Sequence, residues 1–275
     1  MKRLWPTIVT ALWGAYTIGI IVLVVFVQLT GQLTGKVLLP LTTVVFFLFS
    51  LTHAIWYLGR RNALLLFGIT FAVSLFFESF NLLTGGLFFG PLQYTHKLGI
   101  KLFELVPLLI PMTWFTVGYL SLLIAERILG RGGSTSGQTI KMALLAAIIL
   151  TTWDMGMDPT MVHKRYWVWK VEGHYFGIPL RNYIGWFINS FCFFVAYLAV
   201  SKRWHPVPWG PGPRHMHLLP PLAYALMWLS TAIVNLDLGL VGAGIVGSIA
   251  MGPFALYWLW SAYQENLAFS SNLDH

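Results

Sequence analysis

Charged residues are scarce in this chain. Of its 275 residues only 9% are charged, 57% are apolar, and the mean hydropathy is +0.72. A soluble domain carries roughly 25% charged residues, so this composition excludes a soluble globular domain and also the collagen, coiled-coil and disordered classes. The chain is long enough for several membrane spans of about 20 apolar residues each. The composition therefore predicts a polytopic helical membrane protein.

Several other features are missing as well. The single cysteine, Cys192, excludes an intrachain disulfide. The apolar runs are continuous and lack the ~10-residue alternating segments of a transmembrane β-barrel. The sequence has no GxGxxG, phosphate-binding loop, nucleophile elbow or HExxH motif. Its eight histidines show no HxxxH or HxxHH spacing, which argues against a di-iron hydroxylase or desaturase, and we expect no metal ion.

Eight apolar segments separated by polar breaks are candidate transmembrane helices. Only residues 235–237 divide the last two, so seven spans are possible if that pair forms one broken element. Nothing resembles a domain linker, and we expect an all-α bundle in one integral membrane domain over residues 1–275. The segments are 8–27, 37–57, 63–80, 105–124, 140–154, 183–200, 218–235 and 239–260.

The basic residues indicate an orientation rather than a nucleic-acid surface. Lys2 and Arg3 precede about 20 apolar residues without a small-residue cleavage site, which predicts an uncleaved first span. Ten of the 17 Lys and Arg residues fall on the N-terminal side of the spans, often in pairs at span ends. That bias favours a cytoplasmic N-terminal side in a multi-pass protein of the cell membrane. We expect no nucleic-acid partner despite the net charge of +8.

The distal side, opposite the N-terminus, holds the two longest connections, about residues 81–104 and 155–182. Both are rich in Gly, Pro, Trp and Tyr. Irregular backbone at membrane depth must be buried in protein or line a cavity. We therefore expect two partly buried connections on this side.

Acidic residues gather on the same distal side. Five of the nine lie there at the membrane boundary, whereas the other four resemble solvated loop or tail charges. The alternative is that the distal acids face interfacial water or pair with Lys97, Lys101 or Arg181. The distal acids are Glu78, Glu104, Asp154, Asp158 and Asp237, and the other four are Glu126, Glu172, Glu265 and Asp274.

Asp154 and Asp158 are four residues apart and would share one face of a continued helix. Gly156 loosens the turn and Pro159 disfavours helical geometry at the residue before it, so we expect the helix to end here with the two carboxyl groups splayed into a pocket. A carboxylic acid that an apolar cavity keeps protonated is a proton donor.

Aromatic residues crowd the stretch from Tyr166 to Trp186. For Trp167 and Trp169 the simpler interpretation is an aromatic belt at the membrane interface. The functional interpretation is a slot for a long, flat, apolar substrate, in which aromatic faces stabilise a transient carbocation.

These residues together resemble a known family over about residues 76–190. The likeness depends on Glu78 with Thr84-Gly85, the run from Phe89 to Tyr94, Pro107 to Trp114, Asp154, Asp158-Pro159, Trp167-Val-Trp169, Gly173 to Pro179, and Arg181 to Trp186. In this order and spacing the chain resembles the membrane carotenoid-biosynthesis family that includes the CruF-type carotenoid 1,2-hydratases.

The resemblance implies hydration of the terminal C1=C2 double bond of an acyclic carotenoid end group, giving a tertiary alcohol without a cofactor. The enzyme would be a hydro-lyase that takes a lycopene-like isoprenoid laterally from the lipid bilayer. Asp154 or Asp158 would protonate C2, and Glu78 or the other Asp would orient the attacking water. The expected substrate-binding residues are Tyr94, Trp114, Trp153, Trp167, Trp169, Tyr175, Asn182 and Trp186.

Two other function classes stay open. A membrane prenyltransferase would use Asp154-x-x-x-Asp158 as half of a magnesium–diphosphate site, but the second Asp-rich motif is not found. A non-catalytic transport or assembly partner of other carotenoid-pathway enzymes would suit the glycines Gly242, Gly244 and Gly247, although small residues more simply permit close helix packing.

Overall fold

The structure is a computed structural model that describes residues 4–30, 38–130, 135–201, 213 and 215–271, with the side chains of 25–30 and 265–271 left aside. The sequence predictions that concern Lys2, Arg3 and the side chains of Glu265 and Asp274 lie outside this part of the chain. So do those for four further basic residues of the N-terminal side, namely Arg131, Lys202, Arg203 and Arg214.

Eight helices in the described residues are long and apolar enough to cross a membrane, which confirms the all-α membrane bundle. Residues 235–237 belong to the seventh helix, and a short turn follows them, so the last two spans are separate. The helices are α1 (Trp5–Thr30), α2 (Leu38–Leu58), α3 (Arg60–Leu83), α4 (Leu109–Leu129), α5 (Ser136–His163), α6 (Leu180–Val200), α7 (His215–Asp237) and α8 (Val241–Ser271).

The bundle is built around α4. Every residue of this helix from Trp114 to Glu126 is buried, whereas the other helices each expose apolar side chains such as Phe76 and Ile249. A helix satisfies its own backbone hydrogen bonds, so continuous apolar runs can face lipid without unpaired polar groups. The enclosed position of α4 directs its side chains toward α2, α3 and α5.

The prediction that the fifth helix ends near Asp154 is wrong. The helix runs without a break past Gly156 and Pro159 to His163. Pro159 has no N–H for the carbonyl of Met155, four residues earlier, which leaves a polar group that must find another partner. The Tyr175 hydroxyl donates to that carbonyl at 2.9 Å. The helix therefore continues because a distant side chain replaces the missing hydrogen bond.

The two long distal connections join each other through a small antiparallel ladder. Strand β1 (Leu92–Tyr94) pairs with β4 (Trp167–Trp169), with Tyr94 opposite Trp167 and Leu92 opposite Trp169. A second pair, β2 (Lys101–Leu102) with β3 (Val106–Pro107), leads into α4. Side chains alternate across a strand, so Trp167 and Trp169 point to the buried face while Val168 is exposed.

Asn81, near the end of α3, organises the first of these connections. Its Oδ1 accepts hydrogen bonds from the backbone N–H groups of Phe88 and Phe89, and its Nδ2 donates to the carbonyl of Gly90. The amide is fully buried. A single asparagine thus folds the chain back over the distal end of α3 and fixes the path into β1.

Candidate active site

Three of the five distal acids meet inside the bundle. Glu78 on α3 and both Asp154 and Asp158 on α5 are buried, the most exposed of them at 3%. Glu104 and Asp237 are exposed instead. The structure therefore brings three of the five predicted distal acids into one site and leaves the other two outside it.

Asn182 connects the two aspartates. It lies in the first turn of α6, and its Nδ2 donates to Oδ2 of Asp154 at 2.8 Å and to Oδ2 of Asp158 at 2.9 Å. The two carboxyl groups are one helical turn apart on α5, so one amide group reaches both. In the described residues Oδ1 of Asp154 has no hydrogen-bond partner.

Glu78 is held by two donors from other elements. The Tyr94 hydroxyl donates to its Oε2 at 2.9 Å, and Nε1 of Trp114 donates to its Oε1 at 3.3 Å. Burial raises the pKa of the Tyr94 phenol well above its ordinary value, and the charge of Glu78 acts in the same direction. Tyr94 therefore stays protonated and remains a donor to Glu78.

Trp167 completes the polar contacts of Asp158. Its Nε1 donates to Oδ1 of Asp158 at 2.7 Å, and the pairing of β4 with β1 brings its ring to 6.0 Å from that of Tyr94. Trp167 and Trp169 are both buried. The interfacial-belt interpretation of these two residues is therefore wrong.

The basic residues proposed as alternative partners lie elsewhere. Nζ of Lys97 donates to the carbonyl of Lys164, and Nζ of Lys101 donates to the carbonyl of Tyr94. Arg181 is exposed. Glu78, Asp154 and Asp158, which we call the acid cluster, are thus held by amide, indole and phenol donors.

Glu126 also differs from expectation. It was predicted to be a solvated charge, as was Glu172, and the structure exposes Glu172 but buries Glu126. Glu126 lies at the N-terminal end of the bundle, where the Tyr57 hydroxyl donates to its Oε2 at 3.1 Å. It is remote from the distal acids because α4 carries it to the opposite side.

A cavity of about 60 Å³ lies between the acids. Glu78 and Asp158 line it from opposite helices, together with Asn182. Apart from Thr43 and Thr113, the remaining walls are apolar or aromatic. They include six of the predicted substrate-binding residues, Tyr94, Trp114, Trp153, Trp167, Trp169 and Trp186.

Stacked indoles form one wall of this acid cavity. The rings of Trp114 and Trp186 stack with centroids 3.9 Å apart, and Trp153 meets Trp186 edge-on at 5.9 Å. The three residues come from α4, α6 and α5. Indole faces attract positive charge, so this wall suits a cationic intermediate.

Tyr175, unlike the other predicted substrate-binding residues, does not line the acid cavity. Its hydroxyl is engaged by the Met155 carbonyl, and its ring packs on Phe176 and Tyr183. We therefore assign Tyr175 to the support of α5.

Two buried asparagines that organise the structure were not indicated by the sequence pattern. They are Asn81 and Asn235, and the reason is that an isolated asparagine carries no periodic or motif signal.

The carboxyl arrangement does not resemble a metal centre. Among the described residues no group of three His, Cys, Asp or Glu side chains is placed to hold a metal ion. The amide N–H group of Asn182 lies between the two aspartates, where a shared cation would have to bind. A cluster of this kind can hold and transfer protons within an apolar cavity.

A family model described as carotenoid biosynthesis protein matches residues 34–253. This range contains every residue of the acid cluster and seven of the eight helices in whole or in part. Comparison with curated proteins and with solved structures gives no match.

Proposed function

The chain belongs to the carotenoid biosynthesis protein family, and we propose that it hydrates the terminal C1=C2 double bond of an acyclic carotenoid end group. A role in carotenoid biosynthesis follows from the family. The proposed reaction is supported by one observation above all: a small cavity places carboxyl groups from two helices against a wall of indole rings. Acid-initiated addition of water needs both.

Asp158 delivers the proton in this proposal. It lines the cavity, whereas Asp154 is fully buried behind it and shares the Asn182 amide. Two carboxyl groups that accept from one amide group in a buried site favour a single shared proton. Transfer of that proton to C2 leaves the positive charge on C1, a tertiary carbon.

The indole wall stabilises this cation. Trp114, Trp153 and Trp186 line the cavity from three helices, and a cation over a desolvated indole gains about 2 kcal/mol. The same rings exclude bulk water, so the cation meets only the water that the cavity admits.

Glu78 orients the attacking water. Both of its oxygens accept a hydrogen bond, from Tyr94 and Trp114, which fixes the carboxylate at the cavity wall with lone pairs to spare. The water oxygen bonds to C1 and its proton passes to Glu78. Transfer of that proton from Glu78 to the aspartate pair restores both groups, so the net change is the addition of one water.

The test is to express the chain in a lycopene-producing bacterium and to analyse the pigments by mass spectrometry. We expect product heavier by one water per reacted end, with an unchanged chromophore. Asp158→Asn and Glu78→Gln should each lower the yield at least 100-fold, because general acid–base groups contribute about 10²–10⁴-fold. Asp154→Asn should lower it as well.

The matched controls are Glu104→Gln and Asp237→Asn. These acids lie on the same side but are exposed, so both variants should keep wild-type yield. Wild-type yield from Asp154→Asn and Asp158→Asn would remove the proposal. Turnover of a prenyl diphosphate with strict magnesium dependence would favour the prenyltransferase instead, and the absence of product from the purified chain would favour a non-catalytic partner.

A further inference from the structure

A second, larger cavity adjoins the acid cavity. It has a volume of about 190 Å³ and lies between α1, α2, α4, α5 and α7, and we refer to it as the chamber. It shares part of its wall with the acid cavity, so the two spaces are neighbours across a few side chains. The shared residues are Leu39, Thr43, Thr113, Trp153, Met157 and Met161.

The chamber looks polar by residue type because seven of its lining residues are Thr or Ser. Every one of those hydroxyls donates to an acceptor within the protein. The hydroxyls of Thr42, Thr43, Thr113 and Thr116 bond to carbonyls of their own helices. Ser230 and Thr231 bond to the carbonyl of Met227, and Thr160 bonds to Oδ1 of Asn235. The donor of each hydroxyl is already engaged, so these seven residues offer a ligand no free hydroxyl donor, and the wall suits an apolar ligand.

The chamber is elongated along the helices. Along α5 and the residue that follows it, the wall runs from Trp153 to Lys164, which corresponds to roughly 16 Å at 1.5 Å per residue. On α7 it runs from Met227 to Val234. A narrow apolar space of this length suits an extended hydrocarbon chain better than a compact ligand.

Lys164 marks the distal rim of the chamber. Its Nζ is buried and has no hydrogen-bond partner in the described part of the chain. Burial lowers the pKa of this amine to about 8, and the charge of Asp237 opposes that change. The wall therefore changes from apolar to charged where α5 reaches the membrane boundary, which limits a hydrocarbon chain to the interior.

We propose that the chamber holds the hydrocarbon chain of the substrate next to its reacting end, while the acid cavity receives only the end group. This inference rests on the proposed function. The volume of the acid cavity, about 60 Å³, has room for an end group but not for a polyene. The part of the chain beyond the chamber extends into the bilayer.

Trp153, Met157 and Met161 separate the two spaces and determine how far the chain advances. Methionine is flexible and fills irregular gaps, so Met157 and Met161 can yield to a ligand without disturbing the backbone. Trp153 faces both spaces and also belongs to the indole wall. These three are specificity-determining residues because their positions decide which double bond reaches Asp158.

The test measures polyene binding apart from turnover. Purified protein in nanodiscs is titrated with lycopene, and binding is followed by the induced circular dichroism of the polyene. Ser230→Phe and Val234→Phe place a ring in the chamber one turn apart on α7, and we expect each to raise the Kd at least tenfold. Leu229→Phe is the matched control, because Leu229 is 47% exposed on the same helix, and it should bind as wild type does.

A second measurement covers the case in which a bulky variant fails to fold. In a Cys192→Ser background, the Ser230→Cys variant should react with a thiol reagent and be protected by lycopene, whereas the Leu229→Cys variant should react equally with and without it. Wild-type affinity in the folded Ser230→Phe and Val234→Phe variants, or labelling of the Ser230→Cys variant that lycopene leaves unchanged, would overturn the chamber proposal.

Failure of the proposed function gives a different result. Asp158→Asn should keep wild-type lycopene affinity, because Asp158 lines the acid cavity and not the chamber. If wild type and Asp158→Asn both bind lycopene in the chamber but wild type forms no product, the hydration proposal fails and the chamber stands. If wild type forms product while the chamber variants bind lycopene as wild type does, the chamber proposal fails and the hydration proposal stands.

Discussion

Two tryptophans of one strand differ in a single hydrogen bond. Trp167 and Trp169 both lie on the buried face of β4 and both line the acid cavity. Nε1 of Trp167 donates to Asp158, whereas Nε1 of Trp169 has no partner within the described residues. The sequence motif Trp-Val-Trp could not distinguish them, because the difference depends on which ring the ladder places beside α5.

This pair gives a matched test of the indole–carboxylate contact. Trp167→Phe keeps an aromatic ring but removes the donor to Asp158, and we expect a rate about 10-fold to 100-fold lower, since a hydrogen bond to a charged group is worth ~1.5–3 kcal/mol. Trp169→Phe removes an N–H group that has no partner among the described residues, so the rate should stay within about twofold of wild type. Product formation by purified protein is the measurement, and equal losses in both variants would contradict the assignment.

The burial of Glu126 could not be predicted from its neighbours in the sequence. Glu126 is followed by Arg127 near the end of a span, a pattern typical of solvated helix ends. The structure buries Glu126 because α4 is enclosed by other helices along most of its length. Burial depends on neighbours that are distant in sequence, which a local pattern does not contain.

At the scale of the element, α5 depends on one side chain from outside the helix. The Tyr175 hydroxyl serves the Met155 carbonyl that Pro159 leaves without a partner. An unbroken α5 keeps Asp154 and Asp158 one turn apart and within reach of Asn182. Proline removes a backbone hydrogen bond from a helix, but here a tertiary hydrogen bond takes its place, so the prediction that α5 ends near Asp154 is wrong.

Tyr175→Phe should therefore lower the free energy of unfolding by about 1 kcal/mol, because it leaves the Met155 carbonyl unpaired. In a Pro159→Ala background the same change should cost less, since the new backbone N–H restores the helical partner. Thermal unfolding of the four proteins of this cycle in detergent is the measurement.

The control for the cycle is Tyr183→Phe. The Tyr183 hydroxyl is buried without a hydrogen-bond partner in the described residues, so its removal should not destabilise the protein. An equal cost of Tyr175→Phe in the Pro159 and Ala backgrounds would show that the hydroxyl does not replace the lost backbone bond.

At the scale of the whole molecule, close contact of α5 with α8 holds the acid-bearing helix in place. A Cβ atom on Gly247 would lie 2.9 Å from the Cα of Gly156, and one on Gly156 would lie 3.0 Å from Cγ2 of Thr231. Asn235 of α7 adds a hydrogen bond to the Gly156 carbonyl at 2.8 Å. The expectation that small residues permit close packing is confirmed at Gly247.

Gly247→Ala should consequently destabilise the bundle by about 1–3 kcal/mol, the usual cost of overpacking a close contact. The contact is with backbone, which cannot move aside as a side chain can. Gly137→Ala is the matched control, since nothing lies within 4 Å of its added methyl. Unfolding in detergent should separate the two variants, and equal stability would mean that α8 can shift away from α5.

The orientation of the bundle is a further prediction at this scale. The excess of basic residues on the N-terminal side favours that side as cytoplasmic, which places the acid cluster toward the outer surface. In a Cys192→Ser background the Glu104→Cys variant should react with a membrane-impermeant thiol reagent on intact spheroplasts. The Ser136→Cys variant, exposed at the other end of the bundle, should react only after lysis, and the reverse pattern would invert the orientation.

The sequence by itself determined the membrane class and limited the number of spans to seven or eight, and it predicted that five of the nine acids gather on one side. These follow from constraints that act along the chain: the bilayer requires about 20 apolar residues per span, and successive spans must alternate in direction. The same constraints placed Glu78, Asp154 and Asp158 at one boundary before any contact between helices was known.

Only the tertiary structure decided which of these acids meet and what holds them. Glu78 receives its indole donor from a residue 36 positions away, and Asp158 receives its amide donor from one 24 positions away. Such donor–acceptor pairs depend on how each helix is rotated about its axis and how far it is shifted along its neighbours. In a membrane protein the helices are apolar on nearly all faces, so the sequence pattern does not show which face packs inward. The hydrophobic pattern therefore fixes how many helices cross the bilayer, while close packing at sites such as Gly156 and Gly247 fixes which side chains face one another.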